Sequence, residues 1–138
     1  MIDIKLDDNA LLPVRAHKTD AGIDLLTPVD VIIKANSSAI IDTGVHIAIP
    51  EGYFGKLESK SGLNVNHNVV CLGGVIDCGY TGSIKVKLYN LGDEPMTFKR
   101  GNKIVQMIIQ PCSLTELCVV DTLDDTERGD NGFGSTGE

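Results

Sequence analysis

Apolar residues recur at every second position in several short stretches of this chain. "IDIKL" sets Ile2, Ile4 and Leu6 on one side, and "GVHIAIP" does the same with Val45, Ile47 and Ile49. "SIKVKLYN" sends Ile84, Val86 and Leu88 one way and Lys85, Lys87 and Tyr89 the other. A strand alternates its side chains across a sheet, so this period of two predicts half-buried strands with the apolar set inward. "KIVQMIIQP" and "LCVV" are short runs rich in β-forming residues and extend the set. Turn signals separate the runs at short intervals: "IPEGY", "LGG", "NLGDEP" and "KRGN". No clean helical period appears, and at most one turn or short helix fits after "SKSGL". The pattern predicts an all-β sandwich or barrel.

Composition narrows the partners. The 138 residues suit one domain, and 42% hydrophobic with 22% charged residues is ordinary for a globular chain. A net charge of −7 disfavours nucleic acid and anionic membranes, which select basic patches. It leaves room for a small anion held by local donors and a metal ion. Cys71, Cys78, Cys112 and Cys118 form no C-x-x-C pair and have no histidine at zinc-ligand spacing, so free buried thiols in a reducing cytosol are expected. The start lacks a basic leader and no apolar run reaches the ~20 residues of a membrane span, so a cytoplasmic location is expected. The chain divides into a body, residues 1–122, and a glycine-rich tail, residues 123–138, expected to be flexible.

Five stretches do not read as plain strand or turn. In "AGIDLL", Asp24 interrupts an apolar pattern and is a cap, a ladder partner, or a carboxylate near a magnesium ion. "ESKSGL" brings together Lys60, Ser61 and Gly62, either a solvated turn or a wrap for phosphate oxygens. In "GGVIDCGYTG", Val75 and Ile76 suggest a buried strand end, so Asp77 is expected to be hydrogen-bonded there or to act as a general base on water. Tyr80 is a core ring or a platform for a sugar or base. In "GNKIVQMI", Gln106 breaks an apolar run and is structural glue or a ligand contact. The tail "ERGDNGFGSTGE" carries Arg128 for a phosphate, Phe133 for a base, and Ser135 and Thr136 beside Gly134 for an anion. An exposed Phe on a frayed end gains a partner only if the tail docks.

Together these stretches resemble the trimeric dUTPases, which cleave dUTP to dUMP and pyrophosphate. "GVID-x-x-Y-x-G", "G-x-[KR]-I-x-Q" and "RG-x-x-GFGSTG" carry the resemblance, which runs in order over residues 21–137. It implies a jelly-roll-like subunit, a homotrimer with active sites at subunit interfaces, and a tail that closes over a neighbouring site. It implies Mg2+ with the triphosphate, and a role in keeping uracil out of DNA while supplying dUMP for thymidylate synthesis. By position, Asp77 resembles the water-activating carboxylate, and Tyr80 the ring under deoxyribose that leaves no room for a 2′-hydroxyl. The hairpin with Cys71, Gly74 and Val75 would read uracil through its backbone. Lys60, Ser61, Gly62 and Gln106 would hold phosphates. Asp24 would stand near the metal's water shell. Arg128, Phe133, Gly134, Ser135 and Thr136 would form the lid.

The chain departs from that family at several places. Lys60 stands where arginine is usual, which keeps the charge and loses the bidentate fork. Cys71 replaces an asparagine that touches uracil in some relatives. Gly79, Thr81 and Asn131 replace a common aspartate, a frequent arginine and a tail glycine. dCTP deaminases share the fold and resemble "ID-x-G-[FY]-x-G", but they need a glutamate ten residues after the aspartate, where this chain has Lys87. A non-catalytic nucleotide-binding or regulatory member of the same fold is the other reading.

Overall fold

A computed structural model describes residues 1–131. Among these the order is β1 (Ile4–Leu6), β2 (Ile23–Leu26), β3 (Val31–Ile33), β4 (Ser37–Asp42), β5 (Val45–Ile47), β6 (Tyr53–Glu58), α1 (Ser61–His67), β7 (Val69–Cys71), β8 (Val75–Ile76), β9 (Lys85–Asn90), β10 (Met96–Phe98) and β11 (Lys103–Pro111). The short helix falls where the sequence leaves room for one. It ends at Asn68, whose φ of 53° is the left-handed value that stops a helix.

The named strand pairings are antiparallel. Strands distant in sequence lie side by side: β2-β11-β6-β8 form one sheet, β4-β9-β7 another, with β1-β5 and β10-β3 as two-stranded ribbons. This is the jelly-roll-like, all-β architecture expected, not a meander of consecutive hairpins.

Period two explains the core. Val45, Ile47 and Ile49 are buried, as are Ile84, Val86 and Leu88, while Lys85 and Lys87 face out. Phe98, Leu25, Ile104, Val105 and Met107 close the same cluster. Two buried polar residues earn their places through hydrogen bonds. The Asn90 amide donates to the carbonyls of Ile33 at 3.1 Å and Glu94 at 2.8 Å, and its oxygen accepts from the Gly92 N–H, fixing the turn after β9. Thr43 donates to the Ile84 carbonyl at 2.8 Å.

β1 forms as expected and pairs with β5: Ile2 packs against the core, while Ile4 and Leu6, in register with the buried Ile47 and Val45, remain 41% and 37% exposed on the outer strand of the ribbon. One strand expectation fails. "LCVV" forms no strand: residues 112–131 have no regular element, with Leu117 97% and Val119 98% exposed. Alternation defines a strand's faces, but a strand also needs a partner edge, and the chain supplies none to this stretch.

Candidate active site

The site begins with a row across the four-stranded sheet. Asp24 of β2 pairs with Gln106 of β11, and Gln106 pairs with Glu58 of β6. Residues in register share a face, and this one is opposite the face that buries Leu25, Val105 and Met107. The apolar neighbours of Asp24 and Gln106 therefore face the core, while the polar pair faces the site.

Asp24 is 7% exposed and carries two cations: Lys60 Nζ lies 2.5 Å from Oδ1 and Lys103 Nζ 2.9 Å from Oδ2. Burial pushes its pKa up, but the two ammonium groups outweigh burial and hold it below the ordinary value. The carboxylate is thus an anchor that aims Lys60, and the two lysines leave the cluster with a net positive charge. Lys60 is also the residue before α1, with no side-chain cap, and Ser61 and Gly62 form the first turn with their N–H groups unclaimed by the helix.

Gln106 is half-buried, and its Nε2 donates to the Ser59 carbonyl at 3.1 Å. A Cβ on Gly22 would fall 2.3 Å from Gln106 Oε1, so only glycine lets that amide lie there. Ser59 Oγ in turn accepts from the Cys71 N–H at 2.9 Å. Ser59 thereby ties the lysine cluster to the hairpin between β7 and β8. Gly73 turns that hairpin at φ 79°, and the Gly74 carbonyl accepts from Leu57 N–H at 2.9 Å. The Cys71 thiol donates to the Gly73 carbonyl at 3.1 Å; burial, then the charge of Glu58, pushes its pKa up to about 11. Val75 is 64% exposed, so the strand end thought to be buried points one side chain outward.

Asp77 follows on that outward side. It is exposed, and among the described residues no side chain donates to its carboxylate, so of the two readings the buried, hydrogen-bonded aspartate is corrected and the general base stays open. Its main-chain carbonyl accepts from the Tyr80 N–H at 3.0 Å. Tyr80 is not a core ring either. It is 42% exposed and its hydroxyl donates to the Ser83 carbonyl at 2.9 Å, which lays the ring over Gly82.

The structure thus joins Asp24, Lys60 and Gln106 to the hairpin of Cys71, Gly74 and Val75, and sets Asp77 and Tyr80 on the next turn. Sequence reasoning missed Lys103 and Ser59 as members of the cluster, although "G-x-[KR]-I-x-Q" and "ESKSGL" contain them. Arg128 lies in an exposed turn, its Nε donating to the Asn131 carbonyl at 2.9 Å. Phe133, Gly134, Ser135 and Thr136 lie outside the described residues. The thiols are free as expected, but Cys118 is exposed and the other three are only partly buried. No described helix is long and apolar enough to cross a membrane.

The site does not fit a protein-held Mg2+ on Asp24. Both of its oxygens are taken by ammonium groups, which would repel a further cation, and the described residues contain no cluster of three metal-ligating side chains. A hollow of about 620 Å3 bordered by Asp7, Asn9, Pro28 and Asp42 lies elsewhere, and none of its lining residues belongs to the cluster.

Comparison with known proteins identifies the family. A family model described as dUTPase matches residues 8–137. The mouse deoxyuridine 5'-triphosphate nucleotidohydrolase is 42% identical over 135 residues, covering 98% of this chain and 83% of that protein. The Clostridium kluyveri protein of the same name is 43% identical over 135 residues, covering 96% and 94%. A mutant dUTPase of Staphylococcus bacteriophage 80alpha, solved with dUpNHpp, superposes with a TM-score of 0.93 at 31% identity over 100% of this chain and 99% of that one. A dUTPase mutant from phage phi11 of S. aureus, whose structure concerns a structural Mg(II) ion, matches with a TM-score of 0.82 at 30% identity, covering 88% and 97%. Fold, motif order and near-complete coverage of these relatives all point one way: the chain belongs to the dUTPase family.

Proposed function

We propose that this dUTP diphosphatase splits dUTP to dUMP and pyrophosphate by attack of an Asp77-activated water on the α-phosphorus. The observation that carries the reading is the open Asp77 carboxylate, which no described side chain occupies, one hairpin away from a lysine cluster suited to phosphate. A base must be free to accept a proton, and an anionic leaving group needs cations placed beforehand. Asp77 orients the water in line with the breaking bond and takes its proton. Lys60, held by Asp24, receives charge that builds on the leaving pyrophosphate, with Lys103 behind it. Ser61 and Gly62 offer backbone N–H groups, and Gln106 offers its amide. Positioning and electrostatics carry most of the rate in such reactions.

The hairpin of Cys71, Gly74 and Val75 reads uracil through main-chain donors and acceptors, which distinguish its edge from that of cytosine. The Tyr80 ring lies beneath deoxyribose. Arg128, Phe133, Gly134, Ser135 and Thr136 close the site from a lid that starts at residue 123. Mg2+ enters as the counter-ion of the triphosphate, and when bound it offsets phosphate charge; no protein step depends on Asp24 holding it. Three copies complete the sites. The bare apolar residues Leu114, Leu117, Val119 and Leu123 support this, because they lack cover within one chain. Cytosolic dUMP supply and uracil exclusion follow from the same activity, and the four unpaired thiols suit that compartment.

The test offers dUTP and dCTP separately with Mg2+. Pyrophosphate from dUTP is expected; ammonia from dCTP would make the chain a deaminase instead. Asp77→Asn is expected to bind dUTP and lose 10²-fold or more of turnover, on the order of a lost general base. Normal hydrolysis by that variant removes Asp77 from the role.

A further inference from the structure

We propose that His46 is a positioning residue: it bridges the chain near β1 to the turn that carries Asp77 and Tyr80, and thereby sets selectivity for deoxyribose over ribose. This rests on the dUTP reading above. His46 sits in β5 opposite Lys5. Its Nδ1 lies 2.8 Å from the Thr81 carbonyl and its Nε2 3.2 Å from Asp7 Oδ1. Thr81 follows Tyr80 directly. Two residues further along, the Ser83 hydroxyl donates to Asp42, whose Oδ1 also accepts from the Gly44 N–H. The Tyr80 hydroxyl ends on the Ser83 carbonyl. The turn is therefore pinned on its far side by two side chains from two strands, at the residues that flank and receive the Tyr80 ring. Among the described residues nothing comparable pins it through the Asp77 side chain.

Both ring nitrogens of His46 face oxygen acceptors. A neutral imidazole has one N–H and satisfies only one of them, whereas the imidazolium donates to both. The groups around it are Asp7, Asp3 and Lys5 from the β1 side, Asp42 from β4, and the Thr81 carbonyl. The Thr81 carbonyl first, then Asp7, raise the pKa of His46 above its ordinary value, against slight burial and Lys5. The sign follows: the bridge is complete below the ordinary histidine pKa of about 6.5 and breaks at one end as pH rises through the raised value. A loosened turn lets the Tyr80 ring shift, and a ring that shifts no longer excludes a 2′-hydroxyl.

The experiment measures kcat/KM for dUTP and UTP from about pH 6 to pH 9. For the parent, the dUTP/UTP ratio should fall as pH climbs. In His46→Ala the ratio should drop about tenfold at low pH and lose its pH dependence. His46→Asn, whose amide reaches the Thr81 carbonyl but not Asp7, should recover part of the ratio without the pH dependence. Asp7→Asn changes an exposed residue, so it tests the bridge even if His46→Ala folds poorly; it should move the fall to lower pH. Unchanged ratios and profiles in folded variants overturn the inference while the functional reading stands. A parent that releases no pyrophosphate from dUTP sinks the functional reading, and this inference with it.

Discussion

At the residue scale, the site depends on side chains whose roles come from partners rather than from type. Asp24 reads in sequence as a carboxylate inside a strand, and a metal neighbour is a fair expectation for it. Its partners make it the counter-charge of Lys60 and Lys103. Neither lysine is near it in sequence, so spacing could not reveal the pairing. Asp24→Asn leaves two ammonium groups facing each other without a counter-ion. Removing one member of a buried pair costs about 3–5 kcal/mol, but both lysines reach solvent, so about 2 kcal/mol is expected here. The pH dependence has a fixed sign. The folded pKa is lowered, so the stabilisation is present above the unfolded carboxylate pKa and is lost as pH falls through the folded one. Thermal melts should therefore show a gap between parent and variant at pH 7 that narrows below about pH 4. A constant gap would mean that the ion pair is not what Asp24 contributes. Asp77 shows the opposite limit of reading. Its neighbours Val75 and Ile76 look like a buried strand end, but β8 is two residues long, and only Ile76 turns inward.

At the element scale, alternation was legible wherever a second layer existed to receive it. β5 and β9 carry their apolar residues inward as read, with β4 and β7 flanking β9. β1 has the same alternation but, as the outer strand of its ribbon, leaves Ile4 and Leu6 partly exposed beside the buried Ile47 and Val45, since period says which residues share a face and not how fully each is covered. The hairpin from β7 to β8 was legible as a glycine turn, but its seating was not. Leu57 comes from β6, well before the hairpin, and its N–H holds the Gly74 carbonyl. A Cβ on Gly74 would lie 2.9 Å from Leu57 Cδ1 and 3.2 Å from its Cγ. Leu57 is buried and has little room to yield, so Gly74→Ala should lift the hairpin off β6. Overpacking of this size costs about 1–3 kcal/mol. If the hairpin reads the base, the effect divides in a specific way. KM for dUTP should rise about tenfold, with kcat changed less, because uniform binding is lost rather than a contact made only in the transition state. Calorimetry would show a modest fall in Tm beside it. A lower Tm with unchanged KM would leave the hairpin a structural element only.

At the scale of the whole molecule, the candidate site residues of one chain stand open rather than enclosed among the described residues. The lysine cluster and the Asp77 turn both stand open, and the hollow bordered by Asp7 and Pro28 is elsewhere. After β11 ends at Pro111, residues 112–131 run without regular structure, and Leu114, Leu117, Val119, Val120 and Leu123 are exposed among the described residues. Sequence could mark this region as chemically loaded, because Arg128 and the "GFGSTG" residues sit among glycines. It could not say against what they act, since a lid's partner is a surface elsewhere. Truncation after Glu127 separates the lid from the body. The body's core lies wholly in residues before Cys112, from Leu25 to Met107, so the truncated protein should keep its circular dichroism and its Tm within a few degrees. Its turnover of dUTP should fall by 10²-fold or more, the scale of losing a phosphate-binding arginine together with the groups that exclude water. Added guanidinium should restore little if Phe133 stacks on the base as proposed, because a free cation replaces neither that stack nor the tether. Mixing the truncated chain with an Asp77→Asn chain sharpens the result. If lids act on sites built by other subunits, mixed trimers regain activity, because one intact lid can close over one intact Asp77. Recovery in the mixture, measured as pyrophosphate release above either protein alone, supports lids that cross between subunits; no recovery in trimers shown to be mixed would confine each lid to a site bearing its own Asp77.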